Sequence, residues 1–445
     1  MHRRTNIKLN WALFLGLILL SSCTKEKVEK EYIPTNAFDE YIYSLKKANL
    51  QNTILFKKYL KSSTEALTEA LIVSIPYSEI FYIDHSEPEA AGYRFDLKRG
   101  QKLKVKAEIF STDSVQVFMD VFRIKDTLNT SWHCVASSSK DSLYIEFVVR
   151  NDAGYILRIQ PELLCNIKCR VSIEVESSLL FPVIGKERSS IQSFFGDPRD
   201  GGKRKHHGVD IFAARNTEII ASADGYVGRT DNKGLGGRFI WVFYPSVSVH
   251  CYYAHLEKII AVTGDKLRAG DIIGTIGNSG NAKYTPPHLH FGIYKNGYGA
   301  IDPYYFIATE CEKSHKVNEE LILLGNMART NNKKTLLVTH SDKILLPINT
   351  SLKISALNTY NIKVRLPNGV KGFISKENFE IQDKPLTAGK IKTGARIYNS
   401  PSEDAISFKE FSKQADLNIL SIFNEFFYIE LTNGTKGWVK QSEII

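Results

Sequence analysis

The spacing of apolar residues changes several times along this chain. Over 36–76 they recur at helical intervals (Phe38, Tyr41, Ile42, Leu45, then Leu55, Phe56, Tyr59, Leu60), which predicts one or two amphipathic helices. From residue 77 the period drops to two. The stretches GYRFDLKRGQKLKVKAEIF, SLYIEFVV, YILRIQPEL and RVSIEVE alternate apolar with polar positions, so a β-sandwich of short strands is expected over 77–178. Between 186 and 309, short β-type runs such as GRFIWVFY, CYYAHL and HLHFGIY are separated by glycine turns and predict a compact antiparallel β domain. After a linker at 310–330, LPNGVKGFI and LTNGTKGWV repeat one pattern with Gly369 and Gly434 65 residues apart, predicting two small β-barrels at 331–383 and 386–445. The Asn-Gly pair in each copy is read as a hairpin turn in which both residues take positive φ. The fold class is therefore mainly β and multidomain.

The N-terminus has a different character. A basic segment precedes a ten-residue apolar run from Trp11 to Leu20, too short to cross a bilayer and typical of a secretory signal. Leu20-Ser21-Ser22-Cys23 resembles a bacterial lipobox, which makes 1–22 a lipoprotein signal peptide and Cys23 the lipidated first residue of the mature chain. Residues 23–35 are polar and read as a tether. A membrane-anchored lipoprotein of the cell envelope is expected, with the remaining domains soluble outside the cytoplasm.

Charge narrows the partners. The formal net charge is +10, and removing Arg3, Arg4 and Lys8 with the signal peptide leaves +7. The excess is scattered without a long basic stripe, which fits an anionic envelope polymer and not nucleic acid. Five cysteines follow Cys23, and an odd number leaves at least one thiol free. Cys165 and Cys169 are expected either to face each other across a hairpin or to be unpaired, since no second pair completes a zinc site.

Six of the 11 histidines fall between residues 206 and 290, and imidazole is the commonest metal ligand. In HHGVD, His206 and Asp210 are four apart, and Gly208 is read as the residue that lets the backbone turn so both side chains converge. His207 is an alternative first ligand. In HLH, His288 and His290 are two apart and share one face of a strand. His250 lies five residues before His255, so the two point to opposite faces, and His250 is read as a surface or packing residue. Three nitrogen or oxygen ligands without thiolate fit a catalytic zinc site that keeps a position open for water.

These motifs resemble the lysostaphin-like (LytM-type) peptidoglycan endopeptidases, whose H-x-G-x-D, Y-x-H-L and H-L-H-F stand here as His206–Asp210, Tyr253-Ala254-His255-Leu256 and His288-Leu289-His290-Phe291. The resemblance covers about 120 residues. It implies an antiparallel β-sheet peptidase domain over 186–309 and one zinc ion per chain. It selects His206 over His207 and assigns His206, Asp210 and His290 to the metal, with His288 as proton carrier and His255 as stabiliser of the tetrahedral intermediate. It also implies a peptidoglycan cross-link as substrate, the D-alanyl–diaminopimelate bond if the envelope is Gram-negative. The alternative is a non-catalytic peptidoglycan-binding activator of amidases with the same fold, in which ligand positions would be lost. Here all are filled. More loosely, the sandwich is similar to pre-peptidase C-terminal domains, and the two terminal repeats to bacterial SH3-like domains that bind the wall. The lead-in GDPRDGGKRKHHG is longer and more basic than the family minimum, and NAKYTPPH replaces a run of small residues. Both departures are expected to bear on substrate preference more than on metal binding.

Overall fold

The computed structural model describes residues 33–111, 114–126, 131–310, 313 and 320–445. The signal peptide, Cys23, most of the tether and Cys311 lie outside them. Among the described residues no helix is long and apolar enough to cross a membrane.

The helical lead-in is two helices, Ala37–Lys47 and Ile54–Thr68. Asn36 and Thr53 cap them by accepting from the backbone N–H of Asp39 and Phe56. Of the apolar stripe only Phe38, Phe56 and Tyr59 are fully buried. Arg158 fastens this end to the sandwich: paired on its own sheet with Asp120 (Nη2 to Oδ2, 2.6 Å), it donates from Nη1 to Ser63 Oγ at 2.5 Å, and its guanidinium lies 3.8 Å from the centre of the Phe38 ring. The short strand Leu71–Ile72 also falls in the segment expected to be helical, and pairs in parallel with Ala91–Leu97.

The alternating segments form two packed sheets. One orders Leu71–Ile72, Ala91–Leu97, Ala153–Pro161, Val117–Ile124 and Trp132–Ser137; the other runs from Tyr77–Ile83 through Ile167–Ser177 and Gln101–Phe110 to Tyr144–Val148. The turn at Gly100 thus carries the chain from one sheet to the other instead of closing a hairpin. The second sheet does not stop at the sandwich. Tyr77–Ile83 pairs on its far side with Ser351–Asn358, with Glu79 opposite Asn358 and Phe81 opposite Ala356, to give one continuous eleven-stranded sheet. Phe81 and Ile83 enter the sandwich core while Ile80 enters the core shared by the C-terminal segments, so one strand serves two cores by its period of two. The four described cysteines of the body, Cys134, Cys165, Cys169 and Cys251, are free.

Both repeat copies form hairpins, but not with the expected turn. Only Gly369 and Gly434 have positive φ, at 88° and 81°, while Asn368 and Asn433 do not. Gly369 N–H donates to Leu366 O and Gly434 N–H to Leu431 O, both at 2.9 Å. That is a three-residue loop ending in a left-handed glycine, which needs one permissive residue where a two-residue Asn-Gly turn needs two.

The central segment builds a sheet in the order Ile191–Ser193, Val209–Phe212, His288–Lys295, Val249–Ala254, Phe239–Tyr244, Gly225–Asp231, Lys266–Leu267, with Gly299–Ile301 also pairing His288–Lys295. A smaller sheet of Glu218–Ile220, Ile272–Ile276 and Leu256–Ile259 covers it. Leu289, Phe291 and Ile293 are wholly buried in the core between them. By alternation, His288 and His290 face the other side of the same strand. The domain abuts the sandwich where the Phe306 ring fills the space a side chain at Gly100 would need, and Leu179 N–H donates to Phe306 O at 2.9 Å.

Candidate metal centre

Register assembles the site. His288–Lys295 lies between Val209–Phe212 and Val249–Ala254, and His290 stands directly opposite both Asp210 and Ala254. Phe212 stands opposite His288. His206 comes from the turn before one neighbouring strand, and His255 immediately follows the other.

Three donor atoms meet at one point. His206 Nε2 lies 3.0 Å from Asp210 Oδ1, His290 Nδ1 lies 3.1 Å from the same oxygen, and the two nitrogens are 2.9 Å apart. Among the described residues His206, Asp210 and His290 form a group of metal-ligating character. His207 is exposed and takes no part. His206 Nδ1 lies 2.9 Å from Phe194 O; a carbonyl can only accept, so Nδ1 carries the proton and Nε2 presents a lone pair. Two imidazole nitrogens and a carboxylate oxygen crowded this closely need a proton or a cation among them. Donors held tetrahedrally by zinc at about 2.0–2.1 Å stand about 3.3 Å apart, so the triangle fits such an ion with a few tenths of an ångström of spread. Burial pushes the Asp210 carboxyl upward, but the His206 and His290 imidazoles set against it outweigh this and hold the group well below the usual carboxylate range. Burial pushes His290 down, and its bond to Asp210 opposes that.

Gly208 earns its place by size. Its φ is not positive, contrary to the expectation of a special turn. A Cβ there would lie 2.5 Å from Phe291 O and 2.9 Å from Cε1 and Nε2 of His290. The backbone must pass directly over the ligand ring, and only glycine fits.

The other two histidines line the same face. The His288 ring stacks on Phe212 with centres 4.9 Å apart, and its Nδ1 lies 2.9 Å from Pro286 O. His255 has φ +64°, uncommon for a side-chain-bearing residue. Its ring centre is 5.1 Å from that of His288, and its Nδ1 is 2.9 Å from Ser279 O. Both rings therefore carry the proton on Nδ1 and offer Nε2 as an acceptor. Burial, then repulsion from His288 and His290, push His255 down to about 4, so it is neutral near pH 7. His250 sits on its strand beside Phe243, with ring centres 4.8 Å apart, away from the cluster.

Three participants escaped the sequence reading. Arg199 Nη2 bonds Asp210 Oδ2 at 2.7 Å and Ser193 Oγ at 2.5 Å, fixing the carboxylate so that Oδ1 faces the histidines. Phe194 supplies the carbonyl that orients His206. Ser193 Oγ lies 3.3 Å from His206 Nδ1 and 3.0 Å from Asp197 Oδ2. The basic lead-in thus contributes through Arg199 to holding a ligand, although its unusual length and basic character are read from the sequence as bearing on substrate preference more than on metal binding.

Residues 204–303 match Peptidase family M23. It is 36% identical over 135 residues to an L-Ala–D-Glu endopeptidase of Bacillus subtilis, covering 28% of this chain and 41% of the relative. It is 31% identical over 100 residues to the peptidoglycan DD-endopeptidase ShyC of Vibrio cholerae, covering 22% of each. The catalytic domain of lysostaphin from Staphylococcus simulans aligns at 33% identity and a TM-score of 0.23, covering 25% of this chain and 87% of that one. The chain thus spans between about a fifth and two fifths of the length of these two curated relatives.

Proposed function

We propose that this chain is a zinc-dependent endopeptidase that hydrolyses peptide cross-links of peptidoglycan, acting on the D-alanyl–diaminopimelate bond. The observation that carries the proposal is the convergence of His206 Nε2, Asp210 Oδ1 and His290 Nδ1 on one point, with two further imidazole acceptors beside it. His206, Asp210 and His290 would hold a zinc ion, which when bound would polarise the scissile carbonyl and lower the pKa of a water beside it. His288, its Nδ1–H held by Pro286 O, presents Nε2 to take the proton of the attacking water. His255 has the same tautomer, so in the resting protein it too is an acceptor. It can donate to the developing oxyanion only once it has itself gained a proton.

The relatives support the peptidoglycan reading, although their names give different bonds, L-Ala–D-Glu in one and a DD linkage in another. A non-catalytic activator of amidases is the weaker reading, because every ligand position is filled. The wider picture is part of the proposal: acyl chains on Cys23 anchor the mature protein in the envelope membrane, and the repeats at 331–383 and 386–445 are SH3-like modules that hold it at the wall. The direct test is digestion of purified muropeptide dimers by the full chain, with and without chelator. Chelator-sensitive release of monomers is expected; turnover that survives metal removal contradicts the mechanism.

A further inference from the structure

We infer that the hairpin Pro198–Arg199 / Arg204–Lys205 reads a free carboxylate next to the scissile amide, with Arg204 as the residue that meets it. This rests on the endopeptidase reading and adds what selects the bond.

The hairpin is strapped to the metal cluster at its base: His206 N–H donates to Asp197 O and Gly196 N–H to His206 O, both at 2.8 Å. Arg199 and Arg204 stand directly opposite each other across it, so their side chains share one face. Arg199 reaches Asp210 from that face, which makes it the face turned to the site. Like charges directly opposite on paired strands repel, and each must be compensated. Arg199 is committed to Asp210 and Ser193. Among the described residues Arg204 has only Asp200 as an acidic partner, four residues earlier in the hairpin turn, and both side chains are exposed, at 41% and 59%. An exposed pair of this kind contributes little, so Arg204 can exchange Asp200 for a stronger anionic partner at small cost.

The surroundings favour an anion. Lys203 and Lys205 flank Arg204 in sequence with no acidic partner among the described residues. The segment 278–287, whose Ser279 and Pro286 carbonyls orient His255 and His288, holds a single charged residue, Lys283. A D-alanyl–diaminopimelate cross-link supplies the matching group, because the carbon bearing its amide nitrogen also bears a free carboxylate. The interior of a glycine bridge has no such group. Arginine is suited to a carboxylate by its planar fork of donors.

The experiment compares two cross-linked dimers that differ only in whether this carboxyl is free or an amide. Both are offered to the full wild-type chain, R204Q and R204K. Wild type should prefer the free carboxylate about tenfold in kcat/KM, mostly through KM, the worth of one partly exposed charge-assisted hydrogen bond. R204Q should level the two substrates, R204K should keep part of the preference, and all three should hold the same zinc. Equal cleavage of the two dimers by wild type, or an undiminished preference in R204Q, overturns the inference. If zinc-loaded wild type cleaves neither dimer, the endopeptidase reading fails separately. Calorimetric titration of both dimers into wild type and R204Q then decides the carboxylate preference by affinity, with equal affinities counting against it.

Discussion

Replacing Gly208 by alanine tests the geometry of the metal cluster without removing a ligand. The added methyl would lie 2.5 Å from Phe291 O and 2.9 Å from two atoms of the His290 ring. Ordinary contacts begin near 3.4 Å, so the ring must give by about half an ångström, and the backbone at 208, between His206 and Asp210, must lift by about 0.9 Å from the carbonyl, which belongs to a central strand and cannot move. His290 Nδ1 now stands 2.9 and 3.1 Å from its two partners, and catalytic constellations tolerate about 0.5 Å of displacement. Overpacking of this kind costs about 1–3 kcal/mol, which corresponds to about 5- to 150-fold in zinc affinity if it falls on the bound state. Competition against a chromophoric chelator measures the affinity. Thermal melts with and without chelator measure the same quantity independently, since a bound metal stabilises the fold by mass action. Gly208→Ala should show a smaller chelator-dependent shift than wild type. Gly228→Ala is the control, because its methyl would meet only Trp241 O at 3.9 Å. If Gly208→Ala binds zinc as tightly as wild type, the close approach to His290 does not matter to the site and the reasoning fails.

Four further outcomes are expected. His290→Ala should purify with little zinc and no activity, whereas His288→Ala should keep about one zinc per chain and lose about 10²–10⁴-fold in rate; elemental analysis beside muropeptide turnover separates the roles, and the reverse pattern would exchange them. Cys23→Ser should leave the membrane fraction for a soluble or unprocessed form, because stable attachment through lipid needs the acyl chains; detergent fractionation checks this, and an unchanged membrane fraction refutes it. Deleting 331–445 strips the strand Tyr77–Ile83 of its partner Ser351–Asn358 and uncovers Ile80, which is wholly buried, so the truncated chain should melt earlier and aggregate; a truncation as stable as the full chain would show that the continuous sheet carries no stability. Glu79 is fully buried, with its pKa raised by burial against the opposing pull of Lys363 and the hydroxyls of Tyr77 and Tyr93. The folded state therefore holds its proton more tightly than the unfolded chain, and stability present at acid pH is lost as pH rises above the ordinary glutamate range near 4.5. Glu79→Gln should match wild type at pH 4 and melt increasingly above it toward pH 8, and a constant difference across that range would contradict the assignment.

The sequence by itself determined what depends on local order. Alternation marked the strands, helical spacing marked the lead-in as helical without deciding between one helix and two, and the i, i+2 relation put His288 and His290 on one face, because strand period is a property of the backbone alone. The ligand types and their order were also legible, since the chemistry of imidazole and carboxylate does not depend on the fold. The tertiary structure decided what depends on register between distant strands. Asp210 meets His290 only because their strands pair in one of many possible offsets, and Arg199 enters the site only because a hairpin folds back over it. Gly208 looked like a turn residue until the strand carrying His290 was placed beneath it. Nothing local in Tyr77–Ile83 announced that its partner lies some 275 residues away in a segment that reads as a separate module. Backbone hydrogen bonding is the same for every partner strand, so the choice rests on which side chains fit the shared core, and that is settled only when the whole chain has folded.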